Sequence, residues 1–309
     1  MAALVCDVCG GKLIIAAGGI AVCDSCDTVH NKDRLQEKIQ EIKGTVRVDN
    51  SHMVDTWMKL GASAASAGNH MEAYNYFTRV VELDLDNWRA IFEKGKAAAR
   101  QTTLDNQREQ ELWQAVRDSM QIVEKLDMEK REKVEIINEF AVALQEINSA
   151  VTGLMFDNLY NLERLYYEPH YKQILQLNQR WITSIDKTEE AMLLIQDFND
   201  DLSKQNVINM KKAICSNLIC LSIPVAFYLD FSQESLHYIG YSAKEKEIFI
   251  EKYDLLIDDI HTVDPKYNEM FEPDPFDPPD TDVEARCHQE KLKKYYSEKR
   301  RTRTEGKID

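Results

Sequence analysis

Helix breakers are scarce in this chain: 309 residues hold only 7 prolines and 11 glycines. Five of those prolines fall between residues 264 and 282, so the rest is nearly free of them. That scarcity disfavours a turn-rich all-β fold and favours long helices. Positive charge is also short. With 38 Lys and Arg against 53 Asp and Glu, the net charge is -15, so the surface as a whole is no phosphate-binding footprint. No apolar run reaches the roughly 20 residues that a membrane-spanning helix needs. The longest, Ala213 to Leu229, is interrupted by Ser216, Asn217, Ser222 and Pro224 and reads as a buried, proline-kinked core helix.

Catalytic signatures are missing as well. There is no nucleophile elbow, phosphate-cradling glycine loop or HExxH pair. His52, His70, His170, His237, His261 and His288 are scattered without a repeated metal spacing, and the expectation is a protein that is not an enzyme. Met1-Ala2-Ala3-Leu4 runs directly into the first cysteine, without a basic start or an apolar core, so no export signal is expected. Seven cysteines in such a chain imply a reducing, cytoplasmic setting, where paired cysteines bind metal in preference to forming disulfides.

Four of those cysteines are the most informative residues present. Cys6-Asp7-Val8-Cys9 is followed, after thirteen residues, by Cys23-Asp24-Ser25-Cys26. Each CxxC turn holds two thiolates around one ion, and two such turns close a tetrahedral site with no open position, which favours one structural Zn2+. Gly10 and Asp27 follow the two pairs, where positive φ lets backbone N–H groups point at the sulfurs. Lys12-Leu13-Ile14-Ile15 and Ile20-Ala21-Val22 flank Ala16-Ala17-Gly18-Gly19 and predict a hairpin that returns the second pair to the first. Residues 1–30 thus resemble a zinc ribbon of the TFIIB type, with Cys6, Cys9, Cys23 and Cys26 as the metal ligands. Ribbons in transcription proteins dock on polymerase or nucleic acid, but residues 1–30 offer Lys12 as their only Lys or Arg and no aromatic at all. His30 is close enough in sequence to compete as a ligand, and four thiols make it a spectator.

Residues 31–52 read as a short helix, with Leu35, Ile39 and Ile42 on one stripe, and a linker. A helical array is expected over 53–263. Trp57-x-x-Leu60-Gly61, then Ala64, Ala73, Phe77 and Val80, with a Gly68-Asn69 turn, resembles a tetratricopeptide (TPR) repeat. Ile91-x-x-Lys94-Gly95 with Ala98 follows at the 34-residue period and reads as a second, degenerate unit. Further apolar stripes continue the helical texture: Leu112, Val116, Met120 and Val123; Val134, Ile137, Ala141, Leu144 and Ile147. Two more follow in Ile174, Leu177, Trp181 and Ile185, and in Ile248, Ile250, Tyr253, Leu256 and Ile260.

Charge separates towards the end. Between Glu251 and Glu284 twelve acids face two lysines, whereas nine bases face three acids from Arg286 to Lys307. Residues 264–282 read as a Pro/Asp-rich linker that Phe271 and Phe276 could anchor, and 283–309 as a basic helix or tail started by Thr281 or Asp282.

The fold class expected is therefore mainly α: a TPR-like α-solenoid or helical bundle with a small N-terminal β zinc ribbon. The resemblance implies a non-enzymatic adaptor that binds another protein or peptide through a groove to which Asn75, Arg79 and Lys94 contribute. The alternative is a transcription-associated or nucleic-acid-binding factor using the ribbon with Lys293, Lys294, Lys299, Arg300, Arg301 and Arg303.

Overall fold

The computed structural model describes residues 6, 8–16, 20–30, 51–160, 167–228, 236–267, 272–279 and 282–305. The chain forms two compact units that divide between Met53 and Val54. The short helix expected over 31–52 falls almost wholly outside the described residues, as do the turn residues Ala17, Gly18 and Gly19.

In the first unit, β1 (Leu13–Ala16), β2 (Ile20–Cys23) and β3 (Val29–His30) form an antiparallel sheet in the order β1-β2-β3. Leu13 pairs with Cys23, and Ala21 with His30; these side chains are buried and share one face. Strand alternation sends the next row outward. Ile14 pairs with Val22 and Val22 with Val29, leaving an apolar row whose ends, Ile14 and Val29, are 57% and 62% exposed.

The second unit is mainly α, with nine helices among the described residues. They are α1 (Ser51–Ser66), α2 (His70–Leu83), α3 (Trp88–Ala99), α4 (Glu109–Lys125) and α5 (Lys130–Tyr160). Then come α6 (Tyr167–Leu193), α7 (Asp201–Ser222), α8 (Ala243–Val263) and α9 (Asp282–Glu305). From α2 to α7 each helix packs on its successor in the chain.

Local chemistry sets several of the boundaries. Gly68 takes φ of 78°, and Asn69 caps α2 by accepting from the Glu72 N–H at 3.3 Å. Asn87 caps α3 in the same way through Ala90, and Ser242 with Glu245 builds a capping box on α8.

Glycines mark the closest helix crossings. A Cβ on Gly61 would stand 2.6 Å from the Phe77 ring, and one on Gly95 2.4 Å from the Ala115 Cβ and 3.0 Å from the Glu111 carbonyl. Two opposed effects meet in Gly95→Ala. Helix propensity favours alanine by about 1 kcal/mol, whereas overpacking costs about 1–3 kcal/mol. Because a backbone atom of α4 blocks the way, overpacking should win. Urea unfolding should show net destabilisation, partly relieved by Ala115→Gly.

Two large apolar cores and a smaller one, Ala64, Ala73, Phe77 and Ala97, fill the array. Phe92, Leu112, Phe140, Leu144, Ile147, Ile195 and Met210 make the first, with Phe92 and Phe140 rings 4.7 Å apart. Ile174, Leu177, Trp181, Ile214, Leu218, Tyr253, Ile257 and Ile260 make the second. The expected stripes supply most of these residues, with one correction: Ile248 is 72% exposed, and Ile257 takes the inward place on α8.

The segment from Ala213 to Leu229 also departs from expectation. It is not a kinked helix: α7 ends at Ser222, Ile223 is extended, and β4 (Val225–Tyr228) pairs antiparallel with β5 (Leu236–Ile239). Pro224 lacks an N–H and forces its predecessor out of helical geometry, so it terminates the helix.

The proline-rich segment is docked where described. Asp274 is 2% exposed, and its N–H donates to Ser222 Oγ at 2.7 Å. Lys246, fully buried, donates to the Phe276 carbonyl at 2.6 Å; Tyr296 of α9 donates to the Pro273 carbonyl. Phe276 stacks edge-on against His288 and Tyr295, while Phe271 lies outside the described residues. The α9 helix covers Asp282–Glu305, and the cap candidate Thr281 lies outside the described residues.

Candidate metal centre and helical groove

The two CxxC turns are built alike. The Gly10 N–H bonds the Cys6 carbonyl at 2.9 Å, and the Asp27 N–H bonds the Cys23 carbonyl at 3.1 Å. Gly10 has φ of 74° and Asp27 φ of 55°, the left-handed geometry expected at both positions. Those turns aim N–H groups at sulfur: Val8 N reaches Cys6 Sγ and Ser25 N reaches Cys23 Sγ, both at 3.4 Å.

The four sulfurs of Cys6, Cys9, Cys23 and Cys26 all lie within 4.8 Å of one another. Cys6 to Cys26 is 3.7 Å and Cys9 to Cys23 is 3.4 Å, too long for disulfides. Four sulfurs placed tetrahedrally about 2.3 Å from a zinc ion stand about 3.8 Å apart, so the donor set has the right size for that ion. Among the described residues this is the one cluster of His, Cys, Asp and Glu able to hold a metal.

Thiolates this close repel one another unless a cation sits among them. The Thr28 hydroxyl and N–H pull the Cys26 thiol down to about 6. The Gly11 N–H lowers Cys9 too, but neighbouring sulfurs, Cys26 foremost, push it up to about 12. A divalent cation would supply the charge that ionises all four thiols.

Sequence reasoning weighed His30 as a ligand and read it as a spectator, and it missed Thr28 and Gly11 beside this cluster. His30 is 3% exposed with Nε2 3.4 Å from Cys6 Sγ, so it supports a sulfur from outside the four-sulfur set. Thr28 Oγ1 lies 3.1 Å from Cys26 Sγ. Gly11 is tightly enclosed: an added Cβ would meet Ser25 Oγ at 2.6 Å and Cys23 Sγ at 2.9 Å. Gly11→Ala should lower metal affinity by about 10–100-fold, the scale of other supporting-shell changes. Gly10→Ala meets no atom within 4 Å, but a Cβ at its φ of 74° costs about 1–2 kcal/mol, so it too should weaken metal binding, through the backbone and without a clash. Competition against a chromophoric chelator measures both.

In the second unit a groove of about 580 Å³ runs between α1 and α3. Met58, Ala62, Ala65 and Phe77 give it apolar walls, and Arg89, Lys96 and Arg100 line it with Glu93 and His70. Its cations are already engaged: Arg89 with Glu139 at 2.6 Å, Lys96 with Glu93 at 3.2 Å, and Arg100 with Glu146 at 3.3 Å. Asn75, Arg79 and Lys94 do not line it. Arg79 lies over Trp57 at 5.7 Å and Lys94 over Tyr74 at 5.3 Å. Helical spacing puts 89, 93, 96 and 100 on one stripe, and position 94 off it.

The basic helix is less free than its sequence implies. Lys299 reaches both carboxylate oxygens of Asp254, at 2.6 and 2.9 Å, while Lys293 and Lys294 are exposed. The Arg300 and Arg303 side chains lie outside the described residues. Cys215 is fully buried and Cys220 half-buried within the second core. No helix of the described residues is long and apolar enough to cross a membrane.

Compared with models of protein families and with curated proteins, the chain matches none, so its function has to be read from its own residues.

Proposed function

We propose that the chain is a non-enzymatic interaction adaptor: a ribbon held by one structural Zn2+, joined in sequence to a TPR-like helical array that binds another protein. The closed four-sulfur cluster supports a structural role, because Cys6, Cys9, Cys23 and Cys26 fill every position of a tetrahedral ion and leave none for substrate. The TPR-like reading draws on Gly61 against Phe77, the Gly68-Asn69 turn and Gly95 against Ala115, the small-residue crossings that such repeats use.

The observation that carries the binding reading is the ribbon's outer face. Ile14, Val22 and Val29 form a cross-strand apolar row where a nucleic-acid reader would present cations, and Lys12 is the only Lys or Arg in residues 1–30. The Lys299–Asp254 pair further thins the basic set on which a nucleic-acid reading would rest.

The test is capture of partners from native extract on the zinc-loaded chain, with and without nuclease. The adaptor reading expects a protein partner that survives nuclease; loss from Arg89→Ala/Arg100→Ala would put the contact on the helical array, and loss from Ile14→Asp/Val29→Asp, with metal content unchanged, on the ribbon's outer face. Recovery of nucleic acid, or loss of every partner on nuclease treatment, would overturn it.

A further inference from the structure

The four sulfurs of the ribbon are not equally covered. Cys6 and Cys23 are 3% and 0% exposed, whereas Cys9 and Cys26 lie at the surface. The two surface cysteines differ in turn. Two residues beyond Cys26 stands Thr28, whose N–H and hydroxyl both donate to the Cys26 sulfur, the hydroxyl at 3.1 Å. Two residues beyond Cys9 stands Gly11, whose N–H reaches the Cys9 sulfur but which has no side chain to lay beside it. Nor is there room for one, because Ser25 and Cys23 crowd the Gly11 backbone.

This asymmetry bears on reactivity. A metal-bound cysteine stays deprotonated, so at neutral pH it is already the nucleophilic form of the side chain. Among such thiolates, susceptibility to oxidation follows exposure. Hydrogen bonds that stabilise the anion lower its nucleophilicity. Exposure excludes Cys6 and Cys23 as the first to react, and the Thr28 hydroxyl disfavours Cys26.

We infer that Cys9 is a site of oxidation by hydrogen peroxide, and that Cys23 resolves it as a disulfide that dismantles the metal site. The inference rests on the structural Zn2+ reading and adds a way to switch the ribbon off. The Cys9 thiolate attacks one peroxide oxygen, forming the S–O bond of a sulfenic acid and releasing hydroxide as the O–O bond breaks. Cys23 Sγ stands 3.4 Å from Cys9 Sγ, closer than the 3.7 Å between Cys6 and Cys26. Its thiolate then attacks the oxidised sulfur, forming the S–S bond and releasing the second hydroxide. Two electrons pass in all from the sulfur pair to the peroxide. Only Cys6 and Cys26 then remain as donors, too few to close a tetrahedral site. The apolar row of Ile14, Val22 and Val29 is lost with the ribbon's fold, so a partner held there is released while one held on the helical array stays.

The probe is hydrogen peroxide added to the full zinc-loaded chain. A chromophoric chelator reads zinc release, and dimedone traps sulfenic acids for peptide mass mapping. Cys287, exposed on α9 and outside the metal set, is the reference thiol in the same chain. Zinc should be released in step with a dimedone adduct on Cys9, ahead of modification at Cys287. Without dimedone, a peptide cross-linked through Cys9 and Cys23 should appear, and dithiothreitol with added zinc should restore the ribbon. Cys9→His keeps a fourth donor and removes the reactive sulfur, so it should release zinc several-fold more slowly, whereas Cys26→His should release it as the unaltered chain does. The mapping on the unaltered chain decides whether or not those variants fold. A first adduct on Cys26, or a disulfide between Cys6 and Cys9, would overturn the assignment. Zinc retained while Cys287 is oxidised would overturn the inference and leave the structural-zinc reading standing. A purified chain that binds no zinc at all would remove both.

Discussion

Cys9→Ser should abolish metal binding and unfold residues 6–30 while leaving the helical unit's unfolding midpoint where it was. The ribbon is too small to stand on its core. Its buried apolar cluster is Cys6, Leu13, Ala21 and Cys23, and two of those four are themselves sulfur donors. Apparent zinc binding of about 10–16 kcal/mol is then the folding energy of such a module, and three sulfurs retain only part of it. The two units have separate probes: all four tryptophans, at 57, 88, 113 and 181, lie in the helical unit. Zinc content should fall from one equivalent towards none, with the tryptophan-detected midpoint unchanged. If Cys9→Ser moved that midpoint as well, the division between Met53 and Val54 would not be a folding boundary.

The largest loss within the helical unit should come from Arg180→Leu. Besides two bonds to Glu109, of 2.8 and 3.0 Å, this guanidinium donates to Thr152 Oγ1 at 3.1 Å, to the Asn148 carbonyl at 3.0 Å and to Asn148 Oδ1 at 2.7 Å. Removing it strands a buried carboxylate and leaves acceptors on α5 unpaired, a type of change that costs about 3–5 kcal/mol. The urea midpoint should fall accordingly, and Glu109→Leu in the Arg180→Leu background should recover much of the loss by removing the stranded charge. The contrast is Lys299→Ala, which breaks a more exposed pair with Asp254 and should cost about 1 kcal/mol or less. A loss from Arg180→Leu no larger than that would show the buried network to be dispensable.

The parts of this structure that the sequence made legible are those with local grammar. The CxxC spacing, the φ demands at Gly10 and Asp27 and the pairing of β1 with β2 as a hairpin all follow from neighbouring residues. So do the inward stripes of α4 and α6, because burial repeats with the helical period.

What escaped depends on contacts distant in the chain. Glu109 and Arg180 are 71 residues apart, and each alone looks like an ordinary surface charge. The docking of residues 272–279 requires Ser222, Lys246 and Tyr296, none of which composition could pair with a proline-rich strap. The β4–β5 hairpin was hidden because Val225 to Tyr228 continues an apolar run that begins in α7. Only the proline between them marks the change of period. The lining of the α1–α3 groove is a related case: the repeat pattern locates helices, while which stripe faces a groove depends on their rotation.

X-ray absorption at the zinc edge of the purified chain tests the central claim most directly. The predicted result is one zinc per chain, bound by four sulfurs at about 2.3 Å with no nitrogen or oxygen in the first shell. A shell of three sulfurs with one nitrogen would make His30 a ligand and leave one cysteine free. An additional water-like oxygen would mean an open coordination position, and would contradict both the closed structural site and the non-enzymatic reading built on it.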